Sequence, residues 1–182
     1  MDDFEPMRDY FYRRAAKTLN QRATAVRLAN ITPECQRDSF VFPGSDFAAN
    51  IEVNGVAVGE VDYGINPLGD RLYINEIEVE PEHRRRGIAL SVLWLLFQHH
   101  QLPIVPLHQR GDSFAFWSMA RERLNAVGAL IEDQIRTCEL DAAKQRWQHL
   151  VPEPDHLRQI RELKASPEWP AIEARIKASE QS

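Results

Sequence analysis

Apolar and polar residues alternate most plainly between positions 51 and 63. Ile51 and Val53 alternate with polar neighbours, and so do Val56 and Val58, the period of a half-buried strand. Asn54-Gly55 between them supplies the positive φ angles of a tight type I′ turn, so 51–58 reads as a β-hairpin. Then the phase slips. Val61 and Tyr63 are odd-spaced from Val58, with Gly59 between, and a bulge near Gly59 is the simple reading. The strand predicted over 71–80 slips in the same way: Leu72 and Ile74 share one phase, Ile77 and Val79 the other, and Asn75-Glu76 sit at the change. A bulge explains this, and so does a strand buried on both faces.

The rest of the chain is read from the same periodicities. Tyr10, Phe11, Ala15 and Leu19 predict a helix over roughly 7–19, followed by a short strand at 24–28. From Ile31 to Asp46 the sequence is irregular, with Pro33, Pro43 and Gly44 as turn signals. Residues 89–99 are apolar almost all round, which predicts a helix enclosed by the sheet and other elements. Residues 102–107 read as a short strand whose prolines suggest a position free to one side. A helix is expected over 113–125 with Asp112 or Ser113 as its cap, then a strand over 127–135. Strands alternating with helices after a hairpin give an α/β or α+β sheet with helices on both faces. Beyond Cys138 the chain becomes charged helix punctuated by Pro152, Pro154, Pro167 and Pro170. Its sparse apolar residues, from Trp147 to Ile176, recur at helical spacing. They predict packing on the domain or on a partner chain, a homodimer included.

The chemistry concentrates in Glu78-Val79-Glu80-Pro81-Glu82-His83-Arg84-Arg85-Arg86-Gly87-Ile88-Ala89. A strand runs into a proline, then an arginine-rich turn with one glycine, then the apolar helix. A turn at a helix start presents backbone N–H groups and a positive dipole end, and together these bind phosphate. Three adjacent arginines make poor core residues but suit a pyrophosphate. The alternative is a solvated basic turn. This stretch resembles the acyl-CoA pyrophosphate loop of the GNAT family of N-acetyltransferases: Gln or Arg, two variable residues, Gly, one variable residue, then Gly or Ala. The matching residues are Arg84, Gly87 and Ala89, with Arg85, Arg86 and Ile88 between them. The preceding apolar positions and Pro81 resemble the family's strand ending.

The resemblance covers about 51–135. It implies a GNAT-like mixed, mostly antiparallel central sheet with helices on both faces, as domain 1–140, and a helical C-terminal extension over 141–182. It implies acetyl-CoA as acyl donor, bound over Val79 to Ala89, and direct attack by a primary amine on the thioester. In the family a bulged strand splays from its neighbour and the thioester lies in the gap, its carbonyl polarised by a backbone N–H; the matching positions are Ile77 to Val79. Glu76 or Glu78 would then take the amine proton, with Glu76, at the phase slip, preferred. Many members carry a tyrosine acid in the helix after the fifth strand. The comparable pair here is Phe116-Trp117, and tryptophan cannot protonate a thiolate. Ser113, one turn earlier, could hydrogen-bond the sulfur, or simply cap the helix. Trp117 would line the pantetheine channel or pack in the core. His108 is a further candidate base. Because 31–47 is short and proline-marked, the acceptor pocket is expected to be open, which suits a macromolecular acceptor, or to be built by the N-terminal helix and the C-terminal tail; the amine itself is expected on a small molecule or a protein. The missing tyrosine leaves a rival reading, a GNAT-fold binding or regulatory protein that retains acyl-CoA binding.

Composition narrows the classes. At 182 residues the prior is one globular unit. The net charge of −5 disfavours general nucleic-acid binding through Arg84–Arg86 with Arg13, Arg14 and Arg22. Cys35 and Cys138 lie far apart without metal spacing, and His99-His100 end a helix, so neither a disulfide framework nor a metal site is suggested. No apolar run is long enough to span a bilayer, and the acidic first residues lack an apolar signal region; a cytoplasmic protein is expected.

Overall fold

Residues 6–109 and 111–180 are described by the structure, a computed structural model. They fall into two units, within residues 1–150 and 151–182. The first opens with α1 (Pro6–Arg22), β1 (Arg27–Glu34), β2 (Ser45–Val53), β3 (Val56–Ile65) and β4 (Leu72–Val79). There follow α2 (Ile88–His100), β5 (Ile104–Pro106), α3 (Phe114–Asn125) and α4 (Leu140–Lys144). The sheet order is β1-β2-β3-β4-β5, antiparallel through β4, with β5 parallel to β4. This is the mixed, mostly antiparallel sheet that the family resemblance implied.

The hairpin forms as expected: Asn54 and Gly55 have φ of 52° and 78°, the left-handed pair a type I′ turn requires. Both phase slips are bulges. In β3, Gly59 pairs with Ile51 and Ala57 with Glu52, leaving Val58 as the extra residue. In β4, Glu76 pairs with Asp62 and Ile74 with Tyr63, leaving Asn75 unpaired. The second bulge decides between the two readings of β4. Beyond it, Ile77 and Val79 keep to the core-facing side while Glu76 and Glu78 stand exposed on the other.

Three expectations are corrected. The first strand lies at 27–34, later than 24–28, and the segment 31–46 is not wholly irregular: β1 runs to Glu34 and β2 begins at Ser45. Pairing with β2 overrides the local turn signal of Pro33, which sits opposite Phe47 on a strand that, among the described residues, has no neighbour on its other side. Only 35–44 remains as turns. The strand expected over 127–135 reduces to two parallel bridges, Ile104 with Ile131 and Leu107 with Ile135.

Burial divides the sheet's two faces. One carries Ile51, Val61, Tyr63 and Ile74 against α2 and the Trp117, Ala120 and Leu124 side of α3. The all-round apolarity of α2 is explained by its burial from Ile88 through Leu96, while Gln101, with φ of 55°, ends it. A smaller cluster on the other face joins Val41, Tyr73, Val105, Leu107 and Trp147. His100 meets Tyr63 at 5.8 Å; burial, and then the neighbouring His99, push its pKa down from 6.5. The unfolded chain therefore binds the proton more readily. The stability this contributes is present above pH 6.5 and lost as pH falls through the lower folded value. Thermal unfolding should show His100→Gln losing less stability than the parent between pH 6.5 and 5.

In the second unit, α5 (Asp155–Ala165) starts after Pro154, and α6 (Trp169–Glu180) carries Pro170 in its first turn, where the missing N–H is harmless. Leu157, Ile160 and Leu163 of α5 are each more than 40% exposed. Among the described residues, no helix is long and apolar enough to cross a membrane.

Candidate active site

β5 stays with β4 for only three residue pairs, ending at Ile74 with Pro106. Leu107 still donates to the Ile74 carbonyl at 2.9 Å, but His108 donates to Ile135 instead, at 3.2 Å. The strands therefore part at the Asn75 bulge, and β4 beyond it has a free edge. Backbone alternation fixes which groups face that gap. Glu80 donates to Val58 on β3 at 2.9 Å, so Ile77 and Val79 turn their N–H and C=O groups the other way. The Val79 carbonyl confirms the direction, since it accepts from Arg84 Nε at 2.7 Å. Two backbone donors thus line an open slot at the bulge.

The slot leads to the arginine turn. Arg85 and Gly87 both have positive φ, 61° and 76°. Left-handed residues spaced in this way turn successive N–H groups toward one side, forming an anion-binding concavity. Gly87 is the N-cap of α2 and no side chain caps the helix, so the first-turn N–H groups around Ile88 and Ala89 remain available. The arginines divide their work. Arg84 pairs with Glu78 at 3.2 Å as well as capping Val79, and Arg86 donates to the Glu82 carbonyl at 2.9 Å. Both brace the turn from within. Arg85 is exposed and has no side-chain partner among the described residues. The turn is also held from outside: the Thr24 hydroxyl donates to the Arg86 carbonyl at 2.8 Å.

The two candidate bases differ. Glu78 is engaged by Arg84, whereas Glu76 carries no ion pair among the described residues and stands directly across from Asp62. Asn75, the bulge residue, donates to Asp62 Oδ1 at 3.1 Å. Asn75 and Asp62 in turn line a cavity of about 390 Å³ with Asp38, Phe40, Asp46 and Phe47. Burial, and then the charge of Asp62, raise the Asp46 pKa, while a hydrogen bond from Ser39 opposes the shift. An acidic cavity beside the bulge was not foreseen from sequence. The placement of Asp62 opposite Glu76 follows from the hairpin register once the bulge is counted; Asp38 and Asp46 lie in the segment whose sequence gave only turn signals.

The remaining candidates are less central. Ser113 stands at the N-cap position of α3 and makes no side-chain capping hydrogen bond. The Asp112 side chain lies outside the described residues. Trp117 is 5% exposed within the main core, the packing half of its two readings. His108 holds Thr137 Oγ1 at 3.1 Å through Nδ1. Among the described residues no cluster of three or more His, Cys, Asp or Glu side chains could hold a metal.

A strand split by a bulge is followed here by an arginine turn and an apolar helix. The model of the acetyltransferase (GNAT) family matches residues 11–102, just over half of the 182 residues. The chain belongs to the GNAT family. Among solved structures, a ribosomal-protein-alanine N-acetyltransferase from Brucella melitensis biovar Abortus 2308 aligns at 18% identity with a TM-score of 0.28, covering 60% of this chain and 66% of that one. This chain thus spans just under two thirds of that protein. No curated protein matches it.

Proposed function

We propose that the protein is an N-acetyltransferase that moves an acetyl group from acetyl-CoA to a primary amine by direct attack in a ternary complex. The observation that carries this reading is the parting of β4 and β5 at the Asn75 bulge, which leaves the Ile77 and Val79 N–H groups without a strand partner among the described residues, beside the Gly87 turn. The pyrophosphate would sit on the turn's N–H groups with Arg85 beside it, and the pantetheine would extend along the free edge of β4. A backbone N–H facing the gap would polarise the thioester carbonyl, a donor already fixed in place by the sheet. The acidic cavity supports an amine as the acceptor, because Asp38, Asp46 and Asp62 attract the ammonium form into the site.

Glu76 is then the base. It would take one proton from the incoming ammonium, directly or through a water, leaving the free amine; the nitrogen bonds to the carbonyl carbon, the C–S bond breaks, and the nitrogen's second proton passes to the departing thiolate or to solvent water. Ser113 is the candidate hydroxyl for the sulfur. The test is acetyl-CoA binding by calorimetry, followed by turnover with a panel of primary amines. Glu76→Gln should lower kcat by about 10²-fold or more while leaving the acetyl-CoA Kd within twofold. An unchanged kcat removes Glu76 from the mechanism. Micromolar binding with no turnover on any amine would favour the rival, a GNAT-fold binding protein, which the core position of Trp117 in place of a tyrosine acid supports.

A further inference from the structure

The sheet face turned away from α2 carries charge of one sign. β2, β3 and β4 together contain no lysine, arginine or histidine. Asp46, Ala48 and Asn50 of β2 share that face with Glu60 and Asp62 of β3 and with Glu76 and Glu78 of β4. Two like-charge pairs stand directly across the strands from each other, Asp62 with Glu76 and Glu60 with Glu78. Like charges so placed destabilise a sheet. Arg84 offsets one of the four through Glu78, but Glu60, Asp62 and Glu76 are in no ion pair among the described residues.

Segment 35–44 and Trp147 cover this face only near Gly64 and Tyr73, where Val41 packs. Past them Ala48, Glu60, Glu76 and Glu78 are exposed. The charged face is continuous with the acidic cavity, since Asp62 lines that cavity together with Asp38 and Asp46. A metal ion does not account for the charge, because no three of the described carboxylates are grouped to hold one. What remains is a cation with several charges, spread over a surface.

We infer that this face docks the acceptor, a basic polypeptide segment lying over β2–β4 with the amine to be acetylated at Glu76. The inference rests on the acetyl-transfer reading and names its acceptor. Spacing favours a polypeptide. Carboxylates two residues apart on one strand stand about 7 Å apart, and an extended peptide repeats its same-side side chains at that interval. Alternate lysines or arginines therefore meet successive carboxylates. A small diamine in the cavity would leave Glu60 and Glu78 unmet, and small-molecule sites are enclosed where this face is open. The segment lies on the face, leaving the free edge of β4 to the acyl donor.

The experiment measures transfer from acetyl-CoA to a short peptide with arginines alternating around one lysine. The same peptide with glutamine for each arginine, and spermidine, are the comparisons. The parent should turn over the arginine peptide with a kcat/KM about tenfold or more above that for either. Glu60 does not line the cavity, so its variants probe the face alone. Glu60→Gln should raise the arginine peptide's KM about threefold and Glu60→Lys about tenfold, the scale of exposed charge pairs. In both variants kcat and the glutamine peptide's KM should match the parent's. Their melting temperatures should not fall, since a like-charge pair is lost. Added salt should erase the parent's preference. A parent indifferent to the arginines, a preference for spermidine, or variants that shift both peptides alike or neither overturns the inference while the acetyl-transfer reading stands. A parent that acetylates no amine at all overturns both.

Discussion

Gly87→Glu is expected to abolish acetyl-CoA binding, with a loss of at least 100-fold in Kd by calorimetry and the fold retained. Two effects add. A Cβ at this position meets nothing closer than Thr24 Oγ1 at 4.0 Å, so there is room for a side chain. The backbone is the obstacle: φ of 76° is left-handed, and any L-residue there is strained by about 1–2 kcal/mol. That strain lowers the melting temperature by a few degrees. The larger effect is electrostatic, because the carboxylate would stand at the helix start where the pyrophosphate is proposed to sit, replacing attraction by repulsion. Gly87→Ala separates the two, carrying the strain without the charge, and should lose roughly tenfold at most. If Gly87→Glu binds acetyl-CoA as the parent does, the turn is not the pyrophosphate site.

Trp147→Ala should be the most destabilising single change outside the main core, by about 3–5 kcal/mol in chemical denaturation. Its ring is 1% exposed, packed edge-on to Phe40 at 5.4 Å and near Tyr73 at 6.0 Å, and its Nε1 donates to the Phe42 carbonyl at 3.2 Å. Truncation leaves a cavity under the sheet and an unpaired carbonyl in the 35–44 segment. Trp147→Phe keeps most of the volume and should lose less than half as much. A change below 1 kcal/mol for the alanine variant would mean that residues 140–150 do not cover this face of the sheet.

Trp147 also shows where the sequence was hard to read. In the chain it stands among charged residues and looks like one apolar point on a helical tail, yet it plugs the second core. Helical spacing reports a periodicity, not the element on which a lone aromatic residue lands. The hairpin and the bulge near Gly59 were legible, because alternation along 51–63 breaks where the register shifts, whereas the slip along 71–80 was visible but fitted two readings that only the register separates. Segment 35–44 was not, since its geometry depends on distant partners: Val41 packs with Tyr73 and Trp147, and Ser39 holds Asp46. At the site, the Gly87 turn was visible as a motif. The division of labour among Arg84, Arg85 and Arg86 was not, because three identical side chains carry no sign of which one the backbone will claim. The acidic cavity was hidden for a related reason, as it brings together residues from the turns, β2 and β3 that only the register aligns.

The parting of β4 and β5 has a further consequence. It places an unpaired strand edge inside a sheet, the kind of surface on which another chain can add itself and begin to aggregate. Here the exposure is short, from the bulge to Val79, and it is guarded. Arg84 occupies the Val79 carbonyl, and Glu76 and Glu78 set charge beside the opening. A peptide strand bearing side chains of its own would meet those charges and the flank of β5. A slender arm without side chains could slide past them, displacing one arginine contact as it enters. The edge is thus closed to the protein's own kind while staying open, on the function proposed above, to a pantetheine.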